Sequence, residues 1–269
     1  MLERRVALKS SAQIERMAVA GRLVAEVLDR LEELVRPGVT TRELDAVAER
    51  LIREAGAIPS FVGVPGPRGA YRHATCISID DEVVHGIPGP RRVEDGQIVS
   101  VDAGAIVEGW HGDAARTFVV GDVPDETSRL VELTRRSMDA GIAAARPGAF
   151  LSDISAAIED VALAAGYGVV RQFVGHGIGT EMHEEPQVAN FRTGSRGRRL
   201  EPGLCLAIEP MFTLGGHEVA VGPDGWTVAT VDGSLAAHWE HSIAITEDGP
   251  RVLTIAEPAA EKLPQAVGL

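Results

Sequence analysis

Only two cysteines, Cys76 and Cys205, occur in 269 residues. Two are too few for a disulfide framework or a cysteine-rich zinc knuckle, and this fits a reducing cytoplasm. No apolar run approaches the ~18 residues needed to span a bilayer, which argues against a membrane protein. The opening Met1-Leu2-Glu3-Arg4-Arg5 is charged and has no apolar stretch of the secretory kind, so a cytoplasmic location is expected. Positive charge is in deficit: 26 Lys and Arg face 39 Asp and Glu, a net charge of −13. That balance argues against a general nucleic-acid binder. No Pro/Gly/Ser-rich linker divides the chain, so residues 1–269 are expected to form one cooperative domain. Hydrophobic residues at 45% and charged residues at 24% are ordinary for a globular protein of this size, which can bury a substantial core.

What is present is a pattern that occurs twice. Ile14, Met17, Gly21, Val24, Leu28, Leu31 and Val35 alternate steps of three and four, predicting a helix from about Ser11 to Val35. Arg36-Pro37-Gly38 ends it, and Thr40-x-x-Glu43 is a capping box that opens a second helix running to Gly56. The stretch recurs 110 residues later, from Arg146-Pro147-Gly148 to Ala165-Gly166, with seven identities in 21 ungapped positions. Each copy is followed by His-Gly-Ile, at His85 and at His176, then by Glu-x-Gly, an apolar run and an acid, Asp102 or Glu209. A His-x-acid step then introduces Asp113 or Glu240. Collinear matches of this kind predict two related halves, about residues 10–120 and 125–255, each with helices followed by antiparallel strands. The fold class expected is α+β, with a short surface tail over 256–269.

Four carboxylates placed at or within apolar strands are hard to reconcile with a fold lacking a cation. One buried acid is explained by a hydrogen bond or an ion pair. Four brought together without counter-charge would raise one another's pKa values and destabilise the protein. Two divalent ions carry +4 against −4, and carboxylates can bridge paired metals. A neutral imidazole from His176 would complete one site without changing that total. Oxygen-dominated ligation with one nitrogen suits Mn²⁺, Fe²⁺, Co²⁺ or Zn²⁺, and the reaction class implied is metal-assisted hydrolysis. His183, seven residues past His176, reaches the same cleft if its loop folds back. His111 and His238 precede Asp113 and Glu240 by two, share their strand faces, and are read as supporting or packing residues. His73, His217 and His241 carry no signal.

Together, Val101-Asp102, His111-Gly112-Asp113, Gly175-His176-Gly177-Ile178-Gly179, Ile208-Glu209-Pro210 and Trp239-Glu240-His241-Ser242 resemble the type I methionine aminopeptidases. Val84-His85-Gly86-Ile87-Pro88 and His183-Glu184-Glu185-Pro186-Gln187 extend the resemblance, which covers nearly the whole chain. It implies the pita-bread fold, with two pseudo-two-fold halves, a curved antiparallel sheet and outer helices. The implied activity is removal of initiator methionine from new proteins and peptides whose second residue is small. On this resemblance Asp102 and Asp113 hold one metal ion; Asp113, His176, Glu209 and Glu240 hold the other, with Asp113 and Glu240 bridging. Glu209 is the implied proton shuttle, His183 steadies the scissile carbonyl and its oxyanion, and His85 contacts the substrate amide and leaving group.

Tyr71, Cys76 and Trp226 stand where the resemblance puts the methionine pocket. Arg68 and Met182 depart from it, standing where many members carry aromatics; the Met182 thioether remains a soft contact for the substrate side chain. Only 33 residues separate His176 from Glu209, which leaves no room for the helical insertion of type II enzymes. The rival readings are an Xaa-Pro aminopeptidase or prolidase-like activity, whose usual large amino-terminal domain is not expected here, and a non-catalytic binding protein on the same scaffold. The expected partners are amino-terminal methionine peptides and nascent chains, with transient ribosome contact, no membrane, no specific nucleic acid and a monomeric state.

Overall fold

The computed structural model describes residues 6–256, so the tail expected from Glu257 onward lies outside the described residues. Two helices come first, α1 (Ser11–Glu32) and α2 (Thr41–Glu54). Five strands follow: β1 (Ile58–Pro59), β2 (Thr75–Ile79), β3 (Glu82–Val84), β4 (Ile98–Val107) and β5 (Trp110–Val119). A second helix pair, α3 (Asp125–Ala144) and α4 (Leu151–Ala165), leads into ten short strands. The first five are β6 (Gly168–Val169), β7 (Gly175–Gly177), β8 (Glu184–Val188), β9 (Cys205–Ile208) and β10 (Met211–Thr213). The last five are β11 (Val219–Val221), β12 (Val228–Thr230), β13 (Ala236–His238), β14 (Glu240–Thr246) and β15 (Gly249–Val252).

The helices form where capping and periodicity dictate. Ser10 and Gln13 make a reciprocal box at the start of α1, and Thr40 and Glu43 make the one expected for α2. The stripe from Ile14 to Leu31 is buried, but α1 stops at Glu32, short of Val35. There the N–H groups of Leu34 and Val35 both turn to the Leu31 carbonyl, at 2.9 Å each, and the winding tightens into Arg36-Pro37-Gly38. The two Arg-Pro-Gly turns lead into α2 and α4, and Gly56 and Gly166 follow those helices at φ +74° and +77°, a conformation glycine adopts without strain.

All pairings between these strands are antiparallel, and the architecture is α+β. The main sheet runs β1-β4-β5-β14-β9-β7-β8, with β2 also on β4 and β15 on β14. One apolar cluster packs α1 and α2 on β2, β4 and β5 through Leu28, Leu31, Leu44, Ile52, Ile77, Val99 and Val101. A second packs α3 and α4 on β9 and β14 through Leu130, Met138, Ile154, Ile158, Leu206, Ile208, Ile243 and Ile245. Each fully buried aliphatic side chain contributes about 1.5–3 kcal/mol, so both helix pairs are firmly fixed on the sheet.

Asp102 does not end its strand, as the apolar run suggested; β4 continues five residues to Val107. Glu108 and Gly109, at φ +49° and +81°, then form the two-residue left-handed turn whose twist suits a hairpin. The register pairs Asp102 with Ala115 and Gly104 with Asp113, so both acids lie on one face as diagonal neighbours. Glu240 pairs with Ala115 from the other side, which gives a row of Asp102, Ala115 and Glu240 across three strands.

Helix α1 meets β5 with backbone against backbone. A Cβ on Gly112, the residue before Asp113, would stand 2.6 Å from the Gly21 nitrogen. Gly112→Ala is therefore expected to push α1 off the hairpin at a cost of about 1–3 kcal/mol, visible as a lower midpoint in thermal unfolding. An unchanged midpoint would mean that the contact is not tight.

Candidate active site

Five side chains converge because four strands of one sheet, and the residue that follows a fifth, carry them on one face. Asp102 lies on β4, Asp113 on β5, Glu240 at the start of β14, and His176 on β7 opposite Ala207 of β9. Glu209 follows β9, one residue beyond the Ile208–His241 pair, so it falls beside Glu240. Ligand atoms of Asp113, His176 and Glu240 lie within 4.8 Å of one another. The His176 Nε2 stands 3.5 Å from Glu209 Oε1 and 3.9 Å from Asp113 Oδ2.

The backbone under these groups is held by polar side chains that the sequence pattern did not reveal. Ser242 Oγ donates to the Asp113 carbonyl at 2.8 Å and accepts the Asp113 N–H at 3.1 Å, tying β5 to β14 between two of the acids. Thr117 Oγ1 donates to the His238 carbonyl and accepts its N–H, so its contact with Ser100 must use the serine as donor. Asn190, fully buried, donates to the Glu209 carbonyl at 3.0 Å. No periodicity marks these residues, since each works on a strand distant in sequence.

Electrostatics distinguish this cluster from ordinary ion pairs. Burial raises the Asp102 carboxyl to about 7. Burial, then the neighbouring carboxylates, raise Asp113, Glu209 and Glu240 well above the usual range. Asp102 Oδ1, Asp113 Oδ1 and Glu240 Oε1 are buried without a hydrogen-bond partner. Buried carboxylate oxygens left without a partner are the kind of donor that a divalent cation would satisfy.

The imidazole fits the same purpose. His176 Nδ1 lies 2.9 Å from the Gly177 carbonyl, an acceptor only, so the proton resides on Nδ1. Burial holds the ring neutral, its pKa lowered to about 3, and the Nε2 lone pair faces the acids. His238, also kept neutral by burial, has its Nε2 3.9 Å from Glu209 Oε2, beyond hydrogen-bond distance. His111 instead contacts Ser60 Oγ at 3.0 Å.

A cavity of about 160 Å³ joins all five residues to an apolar wall of Phe61, Val64, Tyr71, Cys76, Met182 and Trp226. Tyr71 and Trp226 meet edge to face at 4.9 Å, and the Tyr71 hydroxyl is occupied by the Thr75 carbonyl at 3.0 Å. Cys76 pairs across the sheet with Asp102; burial and that neighbour's charge keep its thiol neutral. Phe61 and Val64 had no signal in sequence. Arg68 lies against the Asp224-Gly225 turn, away from the cavity lining, while Met182 is in it. A wider cleft of about 390 Å³ shares His85, Asp102, His176, His183 and Glu209 with the cavity. His183 stands with its ring 4.4 Å from that of His176, and His85 meets Phe173 edge to face at 5.4 Å. His85 occupies φ +61°, a strained conformation for a non-glycine residue and one that clusters at functional sites.

Comparison with known proteins gives consistent neighbours. The sequence profile of metallopeptidase family M24 matches residues 15–247. The methionine aminopeptidase of Clostridium acetobutylicum is 47% identical over 253 residues, covering 94% of this chain and all of the relative. The crystal structure of methionine aminopeptidase from Thermotoga maritima superposes with a TM-score of 0.89 at 40% identity, covering 93% of this chain and 100% of that one. Prolidase from Pyrococcus furiosus shares the fold, with a TM-score of 0.75 at 23% identity, covering 94% of this chain and 66% of that one.

The raised carboxyl groups give a pH dependence with a definite sign. Their contribution to stability is fully present below the ordinary values of 3.8 and 4.5, and is lost as pH rises through the folded values, about 7 for Asp102. The depressed histidines contribute oppositely, but only up to their ordinary value of 6.5. Chelator-treated protein should therefore lose thermal stability between pH 6.5 and about 8, and added divalent ion should reverse that trend. A midpoint that rises over this interval without metal would contradict the assignment.

Proposed function

Because the chain belongs to metallopeptidase family M24, we propose that this metallo-exopeptidase removes the amino-terminal methionine from peptides and new proteins whose second residue is small. One observation carries the reading: a buried acid and imidazole cluster shares a single small cavity with an apolar wall. The acids supply chemistry, and the wall selects a straight, apolar side chain of limited length.

Two divalent cations of the Mn²⁺, Fe²⁺, Co²⁺ or Zn²⁺ type fit the donors. In this reading Asp102, Asp113 and Glu240 would hold one, and Asp113, His176, Glu209 and Glu240 would hold the other. Three unpartnered carboxylate oxygens and a neutral Nε2 support it, as does the equality of four negative charges with two divalent ions. When bound, such cations polarise the scissile carbonyl and make water acidic enough to react near neutral pH.

The chain's own groups do the rest. The methionine side chain enters between Phe61, Tyr71, Cys76, Met182 and Trp226, with the Met182 thioether as a soft contact. Glu209 takes the proton of the attacking water and returns it to the leaving amine, with His238 beside its second oxygen. His183 donates toward the carbonyl oxygen as negative charge develops there. His85, which lines the same cavity, contacts the substrate amide and the departing residue. Nascent chains are the natural source of such termini, so the reading includes a cytoplasmic monomer in transient contact with the ribosome. Among the described residues no helix is long and apolar enough to cross a membrane.

Stripping the protein with chelator, restoring Mn²⁺ or Co²⁺, and assaying Met-Ala-x beside Xaa-Pro peptides tests the proposal. Activity on Met-Ala-x should vanish and return, with Xaa-Pro turnover far lower. Metal-independent cleavage, or a preference for Xaa-Pro, would overturn it. Glu209→Gln should lower kcat by about 10²–10⁴-fold; a near-normal kcat would remove Glu209 from proton transfer.

A further inference from the structure

Lys9 precedes α1 and lies far from the cavity in sequence, yet its side chain is only 4% exposed. Its Nζ stands 2.6 Å from Glu184 Oε2, across 175 residues of chain. The other oxygen of that carboxylate accepts the N–H groups of Thr180, at 2.9 Å, and Glu181, at 3.3 Å. The loop between β7 and β8 is thus wound around the Glu184 carboxylate. Gly179 makes room for this arrangement, because a Cβ there would stand 2.4 Å from Glu184 Oε1 and 2.6 Å from Lys9 Cε. Two further bonds fix the ends: the Lys9 N–H donates to the Gly203 carbonyl at 2.7 Å, just ahead of β9, and the His111 N–H donates to the Gly179 carbonyl at 2.9 Å. His183 is the residue immediately before Glu184, on this loop.

A buried ion pair is not needed for stability alone, since an apolar pair of similar volume usually serves as well or better. What the charges add here is direction: one cation on a separate element fixes one carboxylate, and that carboxylate fixes the backbone on which His183 sits. We propose that Lys9 and Glu184 are positioning residues for His183, setting where its imidazole meets the substrate carbonyl. The inference rests on the reading of His183 given above. It predicts that the pair acts on turnover through His183 and not on the affinity for the methionine side chain.

The test combines Lys9→Met with Glu184→Gln, a change that conserves volume and leaves no orphaned charge, in the parent and in a His183→Ala background. Metal content and thermal unfolding are measured alongside kcat and KM on Met-Ala-x. With His183 present, the paired change should lower kcat about 10-fold, the scale expected for a misplaced group, with little change in KM. With His183 already removed, it should cost less than about 2-fold, because coupled residues are non-additive. Equal losses in both backgrounds, or no loss with His183 present, would overturn the proposal while leaving the role of His183 intact. If His183→Ala alone leaves kcat unchanged, the role of His183 fails and the proposal falls with it. Should the neutral pair fail to fold, Glu184→Asp keeps the charge but shortens the anchor by one methylene, and the same comparison decides.

Discussion

The rest of the structure depends on the repulsion and desolvation of four carboxylates held in one dry place. Asp102, Asp113, Glu209 and Glu240 are all buried from solvent to a degree that favours their protonated forms. Among the described residues no group beside them supplies four positive charges: the imidazoles of His176 and His238 are themselves kept neutral by burial. A fold that retains such a cluster must be rigid enough to prevent the acids from separating. It must also leave their oxygens free for a ligand that neutralises them.

That rigidity comes from the sheet. A tight left-handed turn sets the β4–β5 register, and the register puts Asp102 and Asp113 on one face. Ala115 stands between Asp102 and Glu240, small enough to leave the space above it to the carboxylates. Ser242 bonds both backbone groups of Asp113, and Gly112 lets α1 lie directly behind the same strand. The site is therefore carried by strands locked from behind, while His85 and His183 come from loops at its rim. His85 in its strained conformation and His183 on its carboxylate-wound loop are two such devices.

Much of this was legible in sequence, for identifiable reasons. Helices α1 and α2 announced themselves through an apolar stripe and a capping box, both local patterns. The acids stood out because an ionisable residue within an apolar run contradicts its context, and because four did so in matching contexts. Ser242, Thr117, Asn190 and Lys9 did not stand out. Their partners lie 129, 121, 19 and 175 residues away, and a lone hydroxyl, amide or ammonium carries no sign of which strand it will meet. The apolar pocket was half legible: Tyr71, Cys76 and Trp226 were expected, but Phe61 and Val64 join them only because the 61–71 segment folds back, with the Tyr71 N–H donating to the Val64 carbonyl. Arg68 belongs to that segment and turns to the Asp224 side.

Four acids and one imidazole are proposed to form a single paired-cation site. Anomalous diffraction from crystals soaked in Mn²⁺, measured on both sides of the metal's absorption edge, tests it most directly. Two peaks are predicted, with Asp113 and Glu240 contacting both ions, Asp102 contacting only one, and His176 and Glu209 only the other. A single fully occupied peak, with Asp102 left protonated and bonded to Asp113, would contradict the account.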